Sequence, residues 1–321
     1  MSQIRILAND GIDETGKAML EAAGFEVVTT HISAEDLPDQ LNAFDVITVR
    51  SATQVRKALI DACPNLKVIG RGGVGMDNID VAYAREKGLG VYNTPAASSR
   101  SVAELVFAHA FTLMRYLHAM NRAMPVSGQT DFGKLKKQSS EGSELLGKTI
   151  GIIGFGRIGQ EVARMALGLG MNVVATDPYV KEASIEIKIS GASNTLVVTI
   201  PPVDVQTVFA QSDIITIHIP KADKPLIGQA ELGLLKKGVL LINTARGGVF
   251  EEEAILAGLA SGAIGGAGLD VFVGEPTPKA ELLTHPRISL SPHIGGSTVE
   301  AQENVGKELA GLIIRHFQSA R

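Results

Sequence analysis

Short runs of aliphatic and β-branched residues alternate with amphipathic stretches along most of this chain. Residues 4–8 read as a strand, 14–23 as a helix stopped at Gly24, and 25–29 as the next strand. Further strands follow at 45–49, 67–70 and 90–92. Strands that alternate with helices predict βαβ units and a parallel sheet. Asn93-Thr94-Pro95 closes this first series, because the residue before a proline is sterically kept out of the helical region. Residues 101–117 then carry Ala103, Val106, Ala110, Leu113 and Leu117 at helical spacing. The polar stretch 127–142, with Lys134, Lys136 and Lys137, reads as an exposed connector.

A second α/β series starts at Lys148. A strand at 149–153 leads through a glycine turn into a helix at about 158–169, and strands follow at 172–176, 213–218, 239–243, 266–270 and 288–291. The chain ends in a helix over about 298–317, whose acidic start and basic end suit the helix dipole. Two α/β series predict two domains, which also suits 321 residues, too many for one ordinary core.

Composition narrows the function classes. Hydrophobic residues make up 45% and charged residues 20%, an ordinary globular balance. With 30 basic against 34 acidic residues, there is no basic excess to suggest nucleic acid or a membrane surface as partner. Cys63 is the sole cysteine, which excludes an intramolecular disulfide and a cysteine metal cluster and suits a reducing compartment. The opening MSQIRILAND lacks the charged and apolar regions of a signal peptide, and no apolar stretch reaches the ~20 residues of a membrane span. A cytoplasmic location and no metal are expected.

The first chemical signal is Gly154-Phe155-Gly156-Arg157-Ile158-Gly159, a G-x-G-x-x-G turn between a predicted strand and a predicted helix. The first glycine permits the tight turn, the second lets a pyrophosphate approach the backbone, and the third lets helix and strand pack closely. The helix N-terminus offers free N–H groups to the phosphates. Asp177 ends the next strand, about 20 residues on, where an acid grips the ribose 2′-hydroxyl and repels a 2′-phosphate. The expected cofactor is therefore NAD rather than NADP.

Hydride transfer from an alcohol carbon needs a base for the hydroxyl proton, a cation for the carboxylate and a group that orients the base. Arg246 follows a predicted strand and is succeeded by Gly247 and Gly248, His293 follows another in Ser291-Pro292-His293-Ile294-Gly295-Gly296, and Glu275 lies in the segment 270–276. On spacing alone, an ordinary turn arginine is the better reading of Arg246, a loop histidine such as His293 is more often structural than catalytic, and Glu275 is equally a solvated acid.

The runs IGIIGFGRIGQEVA, INTARGGVFEEEAI, GAGLDVFVGEP and SLSPHIGGST resemble, in this order, the D-isomer-specific 2-hydroxyacid dehydrogenase family. The resemblance covers nearly the whole chain. It implies an α/β fold of two domains, with a Rossmann-type NAD-binding domain (98–296) inserted into a flavodoxin-like substrate domain (1–97 plus 297–321). The terminal helix would then pack back on the first domain, with hinges near 97 and 296 and the active site in the cleft. The resemblance further implies that Arg246, Glu275 and His293 are catalytic. Beside Gly154, Gly156 and Gly159, the cofactor site would be lined by Arg157, Ile158, Asp177, His218, Ile219, Thr244, Ala245, Arg246, Asp270, His293, Ile294, Gly295 and Gly296. Asp270 would hydrogen-bond the nicotinamide amide.

Within that family, Val49-Arg50-Ser51-Ala52-Thr53, the run from Gly70 to Asn78 and the run from Ser297 to Gln302 are similar to stretches of D-3-phosphoglycerate dehydrogenases. That similarity implies a small phosphorylated hydroxy acid as substrate, bound by Arg50 and Ser51 and by the amides of Gly73 and Val74, and a homodimer. A guanidinium suits a phosphate because it binds in a bidentate fork. Two readings stay open for Arg50, phosphate ligand or partner of a local acid such as Asp77. Two also stay open for the lysine run, solvated loop or substrate contact. Two departures from the similarity stand out. The chain stops at Arg321, so a C-terminal regulatory domain and feedback by serine are expected to be absent. The segment 181–204 is longer than the family usually carries, and strand-like runs at 185–189 and 195–200 around Gly191 predict a β-hairpin that extends a sheet edge or a subunit contact. A glyoxylate or hydroxypyruvate reductase is the alternative enzyme. An NAD-sensing corepressor-like binding protein is the alternative of another class; its cue would be a peptide groove or disordered tails.

Overall fold

The inner strands of both parallel sheets are buried on both faces, which is why the sequence shows unbroken aliphatic runs there rather than alternation. The computed structural model describes residues 3–319. The chain divides into two compact units: Met1–Ser99 with Gly296–Arg321, and Arg100–Gly295.

In the first unit the described elements are β1 (Arg5–Ala8), α1 (Glu14–Ala22), β2 (Glu26–Val28), α2 (Leu37–Gln40), β3 (Val46–Val49), α3 (Lys57–Ala62), β4 (Val68–Arg71), α4 (Val81–Glu86) and β5 (Gly90–Asn93). The strands form one parallel sheet in the order β2-β1-β3-β4-β5, which is the flavodoxin-like order with its switch point between β1 and β3. The long helix formed by Val299–Ser319 belongs to this unit and covers one sheet face, burying Leu309, Ala310 and Ile313 against Ile6, Val46 and Val68. The other face packs on Leu7, Ile47, Ile69 and their neighbours. Asp13 caps α1 by accepting the Thr15 N–H at 2.8 Å.

The second unit opens with α5 (Ser99–Met114), α6 (Leu117–Ser127) and α7 (Phe132–Gln138). The expected single helix over 101–117 is broken at Tyr116, which adopts a left-handed conformation with φ 55° and turns the chain into α6. Leu117, expected in the core by spacing, is consequently exposed. The expected connector at 127–142 is also corrected: much of it is α7, anchored by the single buried Leu135 while Lys134, Lys136 and Lys137 remain exposed. One buried residue in seven, with Phe132 exposed, gives too weak a period for sequence reading.

There follow β6 (Thr149–Ile153), α8 (Arg157–Gly168), β7 (Asn172–Thr176), β8 (Ala183–Ile187), β9 (Leu196–Ile200), α9 (Val205–Gln211), β10 (Ile214–Ile217), β11 (Val239–Asn243), α10 (Glu252–Ser261), β12 (Ile264–Leu269), α11 (Ala280–Thr284) and β13 (Ile288–Leu290). The main sheet is parallel in the order β13-β12-β11-β10-β6-β7. Helices α5 and α8 cover one face and α9 and α10 the other, so the sheet lies between two apolar layers. The order reverses direction between β6 and β10, and ligands of such sheets bind outside the strand ends at that point.

The predicted hairpin is present as β8 and β9, an antiparallel pair from Ala183↔Ile200 to Ile187↔Leu196. It does not extend the main sheet, whose last strand on that side is β7. Its alternation instead turns Ala183 and Ile185 into the core beside α8, while Leu196 and Val197 stay exposed. Among the described residues no helix is long and apolar enough to cross a membrane.

Candidate active site

At the end of β6 the chain turns through Gly154 at φ 91°, a left-handed conformation that disfavours side chains. A Cβ there would lie 2.5 Å from the His218 carbonyl oxygen, and one on Gly159 would lie 2.3 Å from the Gly154 carbonyl oxygen. Strand, turn and helix can therefore meet this closely only with glycine at both places. A Cβ on Gly156 would meet nothing within 4 Å, so this face of the turn is open. Gly156 caps α8, and Arg157, exposed, and Ile158, half-buried, form its first turn. The leading N–H groups of a helix lack internal acceptors, and the helix dipole favours an anion beside them.

Asp177 follows β7 and is tied to the same turn. Its Oδ2 accepts the Phe155 N–H at 2.8 Å, and its Oδ1 accepts the N–H groups of Tyr179 and Val180 at 2.8 and 3.1 Å. A carboxylate offers about four acceptor positions, so a further donor can be taken by the oxygen that already braces the glycine turn.

Across the switch point, His218 and Ile219 follow β10. Burial pushes the His218 imidazole down to a pKa of about 3, so it is neutral near pH 7. Its Nε2 lies 3.1 Å from Thr216 Oγ1, while its Nδ1 is shielded and has no hydrogen-bond partner among the described residues. Thr244 Oγ1, after β11, is likewise buried and unpartnered. The turn from Thr244 to Arg246 is shaped by Asn243, whose Oδ1 accepts the Ala245 N–H at 3.0 Å and whose Nδ2 donates to the Arg246 carbonyl at 2.9 Å. Arg246 Nη1 donates to the Ala245 carbonyl at 2.6 Å. Gly247 lets this turn touch the loop after β12, since a Cβ there would lie 2.0 Å from the Phe272 carbonyl oxygen.

The loops after β12 and β13 bring Glu275 and His293 together. Glu275 Oε2 lies 2.8 Å from His293 Nδ1, and Glu275 Oε1 accepts the Phe272 N–H at 2.8 Å. An ionised carboxylate only accepts, so Nδ1 carries the hydrogen and the Nε2 lone pair is left bare. The buried Glu252 on α10 holds the same loop by accepting the Val273 N–H at 2.8 Å. His293 has φ 54°, unusual for a residue with a side chain. Asp270 holds it there: its carbonyl accepts the His293 N–H at 2.8 Å, and its carboxylate accepts Ile294 N–H, Gly295 N–H and the Ser291 hydroxyl at 2.8, 2.9 and 2.6 Å.

In the first unit, Arg50 and Ser51 follow β3 and are exposed. The Arg50 backbone N–H donates to Asp10 Oδ2 at 2.7 Å, but no hydrogen bond or ion pair among the described residues engages its guanidinium. The suggested pairing of Arg50 with Asp77 is therefore not present. Arg50 borders a cavity of about 280 Å³ at the sheet's switch point, with Asp10, Thr48, Gly72 and Gln302. The Gly73 N–H donates to Thr94 Oγ1 at 2.7 Å. Val74 next to it is partly exposed, and Gly296 lies in this unit.

Sequence reasoning gave no role to Asn243, Glu252, Ser291 or His109. Each leaves a faint signal, a polar residue closing or interrupting an apolar run, as in VLLIN or AELVFAHAFTLM.

A dinucleotide fits this set of groups. The open glycine face and the helix N-terminus suit the phosphates, Asp177 the ribose, and the unpartnered Thr244 Oγ1 and His218 Nδ1 give polar contacts near the switch point. The family model for the NAD-binding domain of D-isomer specific 2-hydroxyacid dehydrogenases matches residues 107–295. A hydroxypyruvate reductase of Thermotoga maritima is 39% identical over 99% of this chain and 99% of its own length. A D-3-phosphoglycerate dehydrogenase of Methanocaldococcus jannaschii is 38% identical over 97% of this chain, which spans only 57% of that relative. The crystal structure of a glyoxylate reductase from Paecilomyes thermophila superposes with a TM-score of 0.80 at 28% identity, covering 100% of this chain and 96% of its own. The glycine turn, the acid after β7 and these likenesses agree: the chain belongs to the D-isomer specific 2-hydroxyacid dehydrogenases and is an NAD-dependent oxidoreductase.

Proposed function

We propose that this enzyme oxidises D-3-phosphoglycerate to 3-phosphohydroxypyruvate. The observation that carries the substrate choice is the exposed, unengaged Arg50 guanidinium beside the cavity at the β1/β3 switch point. A cation kept without an internal partner is placed for an external anion, and a phosphate matches its fork. Arg246 takes the carboxylate in this reading. His293 Nε2 removes the hydroxyl proton as the C2 hydride departs, and returns it in the reverse direction. Glu275 fixes the histidine in the tautomer that makes this possible. NAD supplies the hydride acceptor when bound, held by the glycine turn, Asp177, Ile219, Thr244 and Asp270. We expect a cytoplasmic homodimer working in serine synthesis.

The second reading is reduction of hydroxypyruvate or glyoxylate, favoured by the full-length match to the Thermotoga maritima protein. Arg50→Ala separates the two. Loss of a charged hydrogen bond costs about 1.5–3 kcal/mol, so kcat/KM for 3-phosphoglycerate should fall roughly 10- to 150-fold. An unphosphorylated D-2-hydroxy acid should lose little. Equal losses on both substrates would refute the phosphate role.

A further inference from the structure

His109 lies on α5, buried among apolar residues, far in sequence from every residue given a role above. Its Nε2 is 3.0 Å from Ser291 Oγ and its Nδ1 is 2.9 Å from Ser289 Oγ. Ser291 in turn donates to Asp270 Oδ1 at 2.6 Å. The approach of the imidazole to β12 is built in, because a Cβ on Gly268 would lie 2.7 Å from His109 Cβ.

Counting hydrogens fixes the direction of this chain of bonds. The Ser291 hydroxyl has one hydrogen, committed to the short bond with Asp270. Its oxygen can then only accept from His109, so Nε2 carries the ring hydrogen. Nδ1 accepts from Ser289. Burial holds the imidazole below its ordinary pKa, against a smaller opposing pull from Asp270, and so keeps this neutral form. Every hydrogen in this chain of bonds then has an acceptor, with Asp270 Oδ1 taking both the Ser291 hydroxyl and the Ile294 N–H.

We propose that His109 is a positioning residue: by donating to Ser291 it orients that hydroxyl onto Asp270 and so holds the 293–295 turn, with His293 in its left-handed conformation. Asp270 is the point where the two halves meet, since it accepts both the Ser291 hydroxyl and the three successive N–H groups of His293, Ile294 and Gly295. The consequence for turnover rests on the proposed roles of Asp270 and His293; the positioning itself does not.

Two substitutions divide the imidazole's contacts. The glutamine amide reaches about as far as Nε2, so His109→Gln keeps the donor to Ser291. The asparagine amide reaches about as far as Nδ1, so His109→Asn keeps only the contact with Ser289. Amide hydrogen exchange of Ile294 and Gly295, read by NMR on the cofactor-free protein, should speed up at least tenfold in His109→Asn and stay within threefold in His109→Gln. Ser291→Ala should match His109→Asn, and the double variant should add nothing further. Unchanged exchange in His109→Asn, or equal acceleration in both variants, would overturn the proposal. Steady-state kcat is the second readout, expected to fall about tenfold in His109→Asn and Ser291→Ala and to stay within threefold in His109→Gln. Faster exchange with unchanged kcat would uphold the positioning chain and refute instead the roles given to Asp270 and His293.

Discussion

Glu275→Gln is the sharpest probe of the His293 site, because the two carboxylate oxygens do different work. Oε1 accepts the Phe272 N–H and Oε2 faces His293 Nδ1, both at 2.8 Å. Glutamine has the same shape but only one acceptor oxygen. Whichever way its amide turns, one of these two donors faces an NH₂ group. If Phe272 loses its partner, the loop after β12 loosens; if His293 does, the imidazole takes the tautomer with hydrogen on Nε2 and ceases to be a base. A hydrogen bond to a charged group contributes about 1.5–3 kcal/mol. The histidine side chain is 50% exposed here, and solvent screening favours the lower end of that range. At 1.36 kcal/mol per decade, the expected loss is then about 10-fold in kcat/KM, rising toward 150-fold where bound substrate excludes water. The assay is steady-state NAD reduction, with NAD affinity measured separately by fluorescence and expected to change little. A kcat/KM within threefold of the parent would mean that the carboxylate does not set the histidine tautomer, and the reasoning would fail.

Replacing Asp177 with serine should lower the NAD-to-NADP preference by at least tenfold, read as the ratio of kcat/KM values; an unchanged ratio would remove Asp177 from the ribose site. For His218 the pH sign is set by its depressed pKa of about 3 against an ordinary 6.5. The unfolded chain takes up the proton first, so stability is fully present above pH 6.5 and is lost as pH falls toward 3. Between pH 7 and 5 this amounts to about 2 kcal/mol, and urea unfolding of His218→Gln should show an acid limb shallower by that amount, whereas an identical limb would contradict the burial argument. Ile185→Ala should cost about 2–5 kcal/mol in the same assay, as removing a buried aliphatic side chain does, while leaving turnover of the folded enzyme intact. A cost under 1 kcal/mol would show that the hairpin does not complete the cover of α8.

Local sequence determined a good deal of this protein. The parallel α/β architecture was legible because strands buried on both faces need unbroken aliphatic runs, and the turn at Gly154 because backbone conformation and close approach leave glycine no substitute. The hairpin at 183–200 was visible in its alternation, yet its destination was not: period two says which residues share a face, not what that face meets. Helical period likewise placed Ala103, Val106 and Ala110 in the core but carried on through Tyr116, where one left-handed residue ends the helix. The sites divide the same way. Arg246, Glu275 and His293 were each ordinary on spacing and drew their interest from a family resemblance. Their arrangement depends on contacts made at long range, such as Glu275 with His293, Glu252 with Val273, and His109 with Ser289 and Ser291 across 180 and 182 residues. A hydrogen bond is decided by distance and angle in space, and those are fixed only when sheet order has brought the loops after β12 and β13 side by side.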